Sequence, residues 1–408
     1  MIVSHKEYIK LKLIKESKYF NYIFFQVFGS LLPSLTHLFK VNMKVRKATH
    51  LDTCYLNYLC SSNLLNSTSF NGITSASSSM IVGIVNLILV FRKKIFHYTT
   101  PARPTTHGVQ RLNAPRVAFL LSVIALGFLW TVATNCSHKS TLHLYAYAMA
   151  WIFLSAMMWI YSKRHGNRRW QQIFSLVVAS ACGLFAFVEN TFEMTSTAKL
   201  ALSIVFAVFS CIHGLVFSHK YCYEKPSGVQ IHQWIASPFQ SKKRILRDES
   251  GVYQPLKSKK IFVVIFMIFT VLCSLAPLYS NKYPVTQCIL RLTQGQTTIY
   301  LFYYIVQKIR FEWSSMTRRY FFIVSTLYFL LTSSACAWFY IFVYLSPNNV
   351  LSTPAKSRAM NRECVISGMD WNDIRHYDTS LIFVFFILLM DYIDSNINGA
   401  PKKNIFVF

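Results

Sequence analysis

The sequence predicts an all-α fold, a polytopic membrane helix bundle of about ten transmembrane helices. Three observations point there: an apolar composition, repeated apolar runs of membrane-crossing length, and basic residues gathered between those runs. Of the 408 residues, 53% are hydrophobic, 16% aromatic and only 14% charged, and the mean hydropathy is +0.34. A water-soluble domain of this length carries more charge, because its outer surface must face water. The 42 Lys and Arg against 15 Asp and Glu leave a net charge of +27. Such an excess suits a nucleic-acid binder. Here, however, the basic residues cluster beside apolar runs, where they ordinarily set topology and meet anionic lipid head groups.

Each element follows from a run long enough to cross about 30 Å of hydrocarbon. The runs are 19–39, 73–91, 117–134, 144–161, 173–188, 200–216, 261–278, 285–306, 320–345 and 376–393. The second, fifth and last are short or carry several serines. No amino-terminal run reads as a cleavable signal peptide, since the first apolar stretch is long and no small-residue cleavage site follows it. Loop charge orients the bundle. Lys6, Lys10, Lys12, Lys15 and Lys18 precede the first run, Arg92, Lys93 and Lys94 follow the second, and Lys163, Arg164, Arg168 and Arg169 follow the fourth. Lys242, Lys243, Arg244 and Arg247, then Lys308 and Arg310, then Lys402 and Lys403 continue the same side. The alternate loops are poorer, with Lys44, Arg46 and Lys47, a lone Lys282, and Lys356, Arg358 and Arg362. The positive-inside rule therefore puts both termini in the cytosol. The expected organisation is a basic cytosolic segment at 1–18, a transmembrane bundle at 19–394 and a cytosolic tail at 395–408. Its longer connections are outer loops at 41–72 and 346–375 and a cytosolic loop at 219–260.

Two signals agree with that orientation. The sequon Asn66-Ser67-Thr68 lies in the first outer loop, where a glycan can be attached. Cys54, Cys60, Cys136 and Cys364 all fall on the outer side, in an oxidising compartment that preserves disulfides. Cys54 or Cys60 is expected to pair with another outer cysteine, and spacing alone leaves the partner open. No Walker loop, dinucleotide fingerprint, H-E-x-x-H or nucleophile elbow is present, so soluble-enzyme chemistry lacks support.

Short segments in a particular order carry a family resemblance. Cys54-Tyr55-Leu56-Asn57-Tyr58-Leu59-Cys60 resembles a C-Y-x-N-x-L-C segment, and Thr68-Ser69-Phe70-Asn71 resembles an S-x-F-N. Thr353-Pro354-Ala355-Lys356-Ser357-Arg358 is similar to T-P-A-x-S-R, and Asn361-Arg362-Glu363-Cys364 to N-R-x-C. Asp373-Ile374-Arg375-His376 stands where an H-D-I-W-H opens a last span; Lys163-Arg164-His165 and the ending Lys403-Asn404-Ile405-Phe406-Val407-Phe408 also match. Together these resemble the systemic RNA interference defective (SID) family of double-stranded RNA transporters. The resemblance implies relatives with a large extracellular β-sandwich ectodomain, one further span and a basic cytosolic loop ahead of a ten-span remainder. This chain begins at the position of that basic loop. Either a truncated gene model or a short paralogue would account for it.

The resemblance also implies a zinc site on the outer face of family members, built from a Ser and a His four residues apart, an Asp opening the next span, and the two His of H-D-x-W-H. The matching positions here are Trp130, Thr134, Tyr145, Asn372 and His376. Only His376 retains the family's residue type, so a dismantled metal centre and no cofactor are expected. His138 and His143, with His376, Asp370, Asp373 and Asp378, are the candidate substitute ligands, although interfacial histidines are more often polar residues at head-group level. His213 and His219 have the same ordinary explanation. Residues 301–308 fit a loose cholesterol-contact pattern. Asp391 and Asp394 sit at the inner end of the last span, near enough to the head groups to be solvated.

The function the resemblance implies is double-stranded RNA uptake or transmembrane transport by a non-enzymatic protein in the plasma or endolysosomal membrane. The alternatives are a ceramidase-like lipid hydrolase or sterol-binding protein, and a degenerate short paralogue without transport. Expected partners are membrane lipids, sterol among them, and double-stranded RNA; the oligomeric state is open, a homodimer included.

Overall fold

The computed structural model describes residue 60 and residues 70–97, 113–134, 139–163, 195–218, 247–248, 251–252, 262, 264–272, 285–345, 355–356, 359, 364–366 and 368–397. Within these the chain is helical almost throughout: α1 Phe70–His97, α2 Asn113–Ala133, α3 Lys139–Ser162, α4 Ser196–Ser218, α5 Val285–Glu312, α6 Arg318–Tyr340 and α7 Trp371–Tyr392. A helical stretch also covers 264–272. One feature departs from the all-α expectation: Arg247–Asp248 pairs antiparallel with Gly251–Val252.

Five of the described helices are long and apolar enough to cross a membrane: Phe70–Arg92, Pro115–Ala133, Leu144–Ser162, Arg318–Tyr340 and Trp371–Ile397. These fall on the second, third, fourth, ninth and tenth predicted runs. Of the ten expected spans, five are borne out among the described residues; α4, α5 and the stretch at 264–272 are helical at three further runs. The first and fifth runs lie outside the described residues. Boundaries move at two loops. α1 begins at Phe70 and α7 at Trp371, so the ends of the predicted outer loops 41–72 and 346–375 are helical. Capping explains the second shift. Asp370 accepts from the Asp373 amide while the Asp373 side chain accepts from the Asp370 amide, a reciprocal box that satisfies donors otherwise orphaned at a helix start. At the opposite end of the bundle Thr317 caps α6 by accepting from the Tyr320 amide at 3.2 Å.

The packed neighbours are α6 with α7, α7 with α1, α1 with α2, α2 with α3, and α3 with α5. The last helix therefore sits between α6 and the first described one. Close approach of α1 and α2 depends on two glycines. A Cβ on Gly127 would stand 2.5 Å from the Met80 amide nitrogen, and one on Gly83 2.6 Å from Ile124 Cγ1. The aromatic core lies below, where the Phe119 ring meets Trp159 at 5.5 Å and Phe386 at 5.1 Å between centroids. On α6, Phe322 and Phe329 are 69% and 68% exposed, as expected of side chains that face lipid.

Candidate functional site

Three residues of α7, spaced around one helical turn, reach three different neighbours. Asp373 Oδ1 accepts from the Ser75 hydroxyl of α1 at 2.9 Å. His376 Nδ1 accepts from the Trp130 indole N–H of α2. Asp378 faces Ser334 of α6. One turn deeper, Ser380 lies 2.6 Å from Ser78 and 2.9 Å from Ser79, hydroxyl to hydroxyl. Ser75, Ser78 and Ser79 share one face of α1, because three or four residues complete a turn. In a hydrocarbon solvent such hydroxyl contacts join helices that apolar contacts alone hold weakly.

The five positions that the resemblance matched to a metal site, Trp130, Thr134, Tyr145, Asn372 and His376, lie at the same end of the bundle, and three of them form a ring cluster. The Trp130 and Tyr145 rings stack at 4.3 Å, and Trp130 meets the His376 ring edge-on at 4.4 Å. Because Nδ1 of His376 accepts, its proton sits on Nε2, which is buried with no partner among the described residues. Thr134 donates to the Thr131 carbonyl at 2.7 Å. Asn372 accepts from the Arg375 guanidinium, which also lies 5.6 Å from the Phe342 ring centroid. Among the described residues no three His, Cys, Asp or Glu side chains are grouped to hold a metal ion. Of the substitute candidates, Asp370 and Asp373 are engaged in the helix cap, Asp378 faces α6, and His138 and the His143 side chain lie outside the described residues.

A disulfide closes this end. Cys60 and Cys364 are joined across a sequence separation of 304 residues. Asn71 Nδ2 donates to the Cys60 carbonyl at 3.2 Å, which ties the bridge to the first turn of α1. The adjoining turn needs Gly368, whose φ of +83° an L side chain rarely adopts. Cys54, Asn66 and Cys136 lie outside the described residues.

The opposite end carries a buried ionic cluster that sequence reading missed. Lys308 contacts Glu312 at 2.5 Å and Asp394 at 3.1 Å, and all three are buried. The Tyr304 phenol donates to both Asp394 oxygens at 2.9 Å. Arg116 pairs with Asp391 at 2.7 Å. Lys163 donates to the Met390 carbonyl and Tyr320 to the Ile393 carbonyl, filling acceptors that a helix end leaves open. Asp394 is therefore an ion-pair partner rather than a solvated head-group acid, and Lys308 is a buried cation rather than a loop charge. The i, i+4 spacing of Lys308 and Glu312 was a legible signal; the Asp394 partner, 86 residues away, was not. The stretch 301–308 that fits the cholesterol-contact pattern lies on α5. Leu301, Tyr303, Tyr304 and Lys308 are buried there, while Phe302 and Val306 face outward.

All 408 residues match the family described as dsRNA-gated channel SID-1. The chain belongs to that family. Among curated relatives, SID1 transmembrane family member 1 of Rattus norvegicus is 24% identical over 411 residues, covering 96% of this chain and 47% of the relative. The Homo sapiens protein of the same name is 23% identical, covering 96% of this chain and 46% of its own length. The chain thus spans just under half the length of these SID1 relatives. As a SID-1 family member with apolar helices of spanning length, it is a membrane protein.

Proposed function

We propose that this chain takes part in the uptake or transmembrane movement of double-stranded RNA. The observation that carries the reading is the match of the entire chain to a family described as a dsRNA-gated channel. Duplex RNA presents its phosphates and 2′-hydroxyls rather than a readable groove, so contact would rest on Lys and Arg and weaken with salt. The net charge of +27 suits such a ligand. The reading puts the chain in a membrane that meets external RNA, the plasma or endolysosomal membrane. Cells expressing the chain should internalise labelled double-stranded RNA faster than vector-only cells, with less gain for double-stranded DNA and a loss as ionic strength rises. Equal internalisation in both cell lines would leave a non-transporting paralogue as the better account.

We further propose that the chain holds no zinc. An indole N–H, a hydroxyl, a phenol, a carboxamide and one imidazole stand at the five aligned positions, whereas zinc in proteins relies on at least three Cys, His or carboxylate ligands. A ceramidase-like hydrolase would need that metal. Elemental analysis of the purified protein should find no stoichiometric zinc; about one zinc per chain that is lost in His376→Ala would overturn the proposal.

A further inference from the structure

Residues 310–322 connect the last turn of α5 to the first turns of α6 through the 3-10 turn Trp313–Ser315. This stretch holds one acid and three arginines, and burial sorts them to opposite sides. Glu312 is buried against Lys308, which also takes Asp394, while Asp391 is paired with Arg116. Arg310, Arg318 and Arg319 stay exposed, and none of the ion pairs among the described residues includes them. Lys308 thus holds the nearby carboxylates inside and leaves a surface that is cationic only. An aromatic surface adjoins it. Trp313 is 62% exposed, and its ring meets Phe321 edge-on at 5.5 Å, which fixes the turn against the start of α6. Tyr320 points the other way, into the bundle, where its hydroxyl donates to the Ile393 carbonyl. Three- and four-residue spacing puts Arg318 and Arg319 beside Phe322, and the exposed Phe329 continues the same stripe two turns on.

We propose that this turn is a binding site for the phosphate group of an anionic phospholipid, held by Arg310, Arg318 and Arg319, with an acyl chain lying along Phe322 and Phe329. A guanidinium is always charged, and its planar fork meets phosphate oxygens with two parallel N–H donors. The membrane-crossing stretch of α6 begins at Arg318, so these arginines stand where the hydrocarbon ends and the head groups begin. An exposed tryptophan favours that same level, because its ring is apolar and its N–H is polar. The arginines gain nothing from their own helix: at the first turn of α6 a cation meets the positive end of the helix dipole. An external anion supplies the countercharge. Duplex RNA also offers phosphates, but its bases are stacked away from Trp313 and it has no apolar part to cover Phe322 and Phe329. The apolar continuation of the patch therefore favours the lipid. The site stands whether or not the chain moves RNA.

The test uses the full chain, purified in detergent and titrated with dioleoyl phosphatidylserine or dioleoyl phosphatidylcholine, with bound lipid counted by native mass spectrometry. The serine lipid carries a net negative charge and the choline lipid does not, so the unmodified chain should bind the former about tenfold more tightly. Arg318→Gln should lower that preference about fivefold, the contribution of one basic residue near an anionic surface. Adding Arg310→Gln and Arg319→Gln should abolish it. Arg291→Gln, at an exposed arginine toward the other end of α5, is the control and should leave the preference unchanged. Equal affinity for the two lipids, a preference that survives all three substitutions, or an equal loss from Arg291→Gln would overturn the site. Two competitors are then added to the unmodified chain loaded with phosphatidylserine. Displacement by duplex RNA would assign the turn to nucleic acid instead, and displacement by inorganic phosphate, at an ionic strength matched with chloride, would assign it to free phosphate. Retention of the lipid against both is the expected result. Should the triple variant fail to fold, Arg318→Gln and the competitors still decide the question.

Discussion

At the residue scale, Trp130 and His376 form a buried donor–acceptor pair that joins α2 to α7. An indole has no lone pair to offer a cation at its N–H, but it donates well, and here it donates to the imidazole nitrogen that would otherwise be an orphaned buried acceptor. Trp130→Phe keeps a ring over Tyr145 and deletes the donor. The buried acceptor then goes unpaired, at a cost of about 1–3 kcal/mol. Thermal unfolding in detergent, followed with a thiol-reactive dye, should show a lowered midpoint; an unaltered midpoint would mean that the hydrogen bond contributes nothing. That Trp130, Tyr145 and His376 stand near span ends was legible from the sequence. That these three rings would form one cluster was not, because ring contact depends on the distance between α2, α3 and α7.

At the element scale, α1 is instructive. Its serines weaken it as an isolated hydrophobic run, and the same serines make it a partner for α7 through Ser75, Ser78 and Ser79. Packing with α2 depends on the missing side chain at Gly127, where the nearest atom is backbone and cannot yield. Gly127→Val should therefore destabilise the bundle by overpacking, at about 1–3 kcal/mol or more. The expected readout is a lower yield of monodisperse protein and a reduced thermal midpoint. Phe128→Leu, next to it on the exposed face of α2, serves as the control and should change neither. If Gly127→Val behaved like that control, the close α1–α2 contact would be wrong. The weakness of this run in the sequence and its strength in the fold have one cause: a hydrophobicity window scores a serine as polar, and a helix pair scores it as small and bondable.

At the scale of the whole molecule, the Cys60–Cys364 bridge links the segment before α1 to the segment before α7. Closing so long a loop typically contributes about 2–5 kcal/mol by restricting the unfolded chain. Cys60→Ser should accordingly lower the unfolding midpoint, and non-reducing peptide mapping of the unsubstituted protein should recover the Cys60 and Cys364 peptides together. Recovery of both as free thiols from an unreduced sample would count against the bridge. The orientation derived from loop charge has its own check. Protease added outside intact cells should spare the 219–260 loop, and Asn66→Gln should remove any glycan-dependent shift in mobility. Cleavage within 242–260 from outside would reverse the orientation.

Membrane class and the positions of five spans were available from the sequence because they depend on a local property, the length of an apolar run. Family membership was likewise legible, since it rests on ordered short motifs. The identity of the cysteine partner, the burial of Lys308 and Asp394, and the meeting of Ser75 with Asp373 were decided only by tertiary structure. Each joins residues 86 to 304 positions apart. The physical reason is the solvent. In hydrocarbon a charge or hydroxyl must find its partner on another helix, and the spacing within one helix does not reveal which.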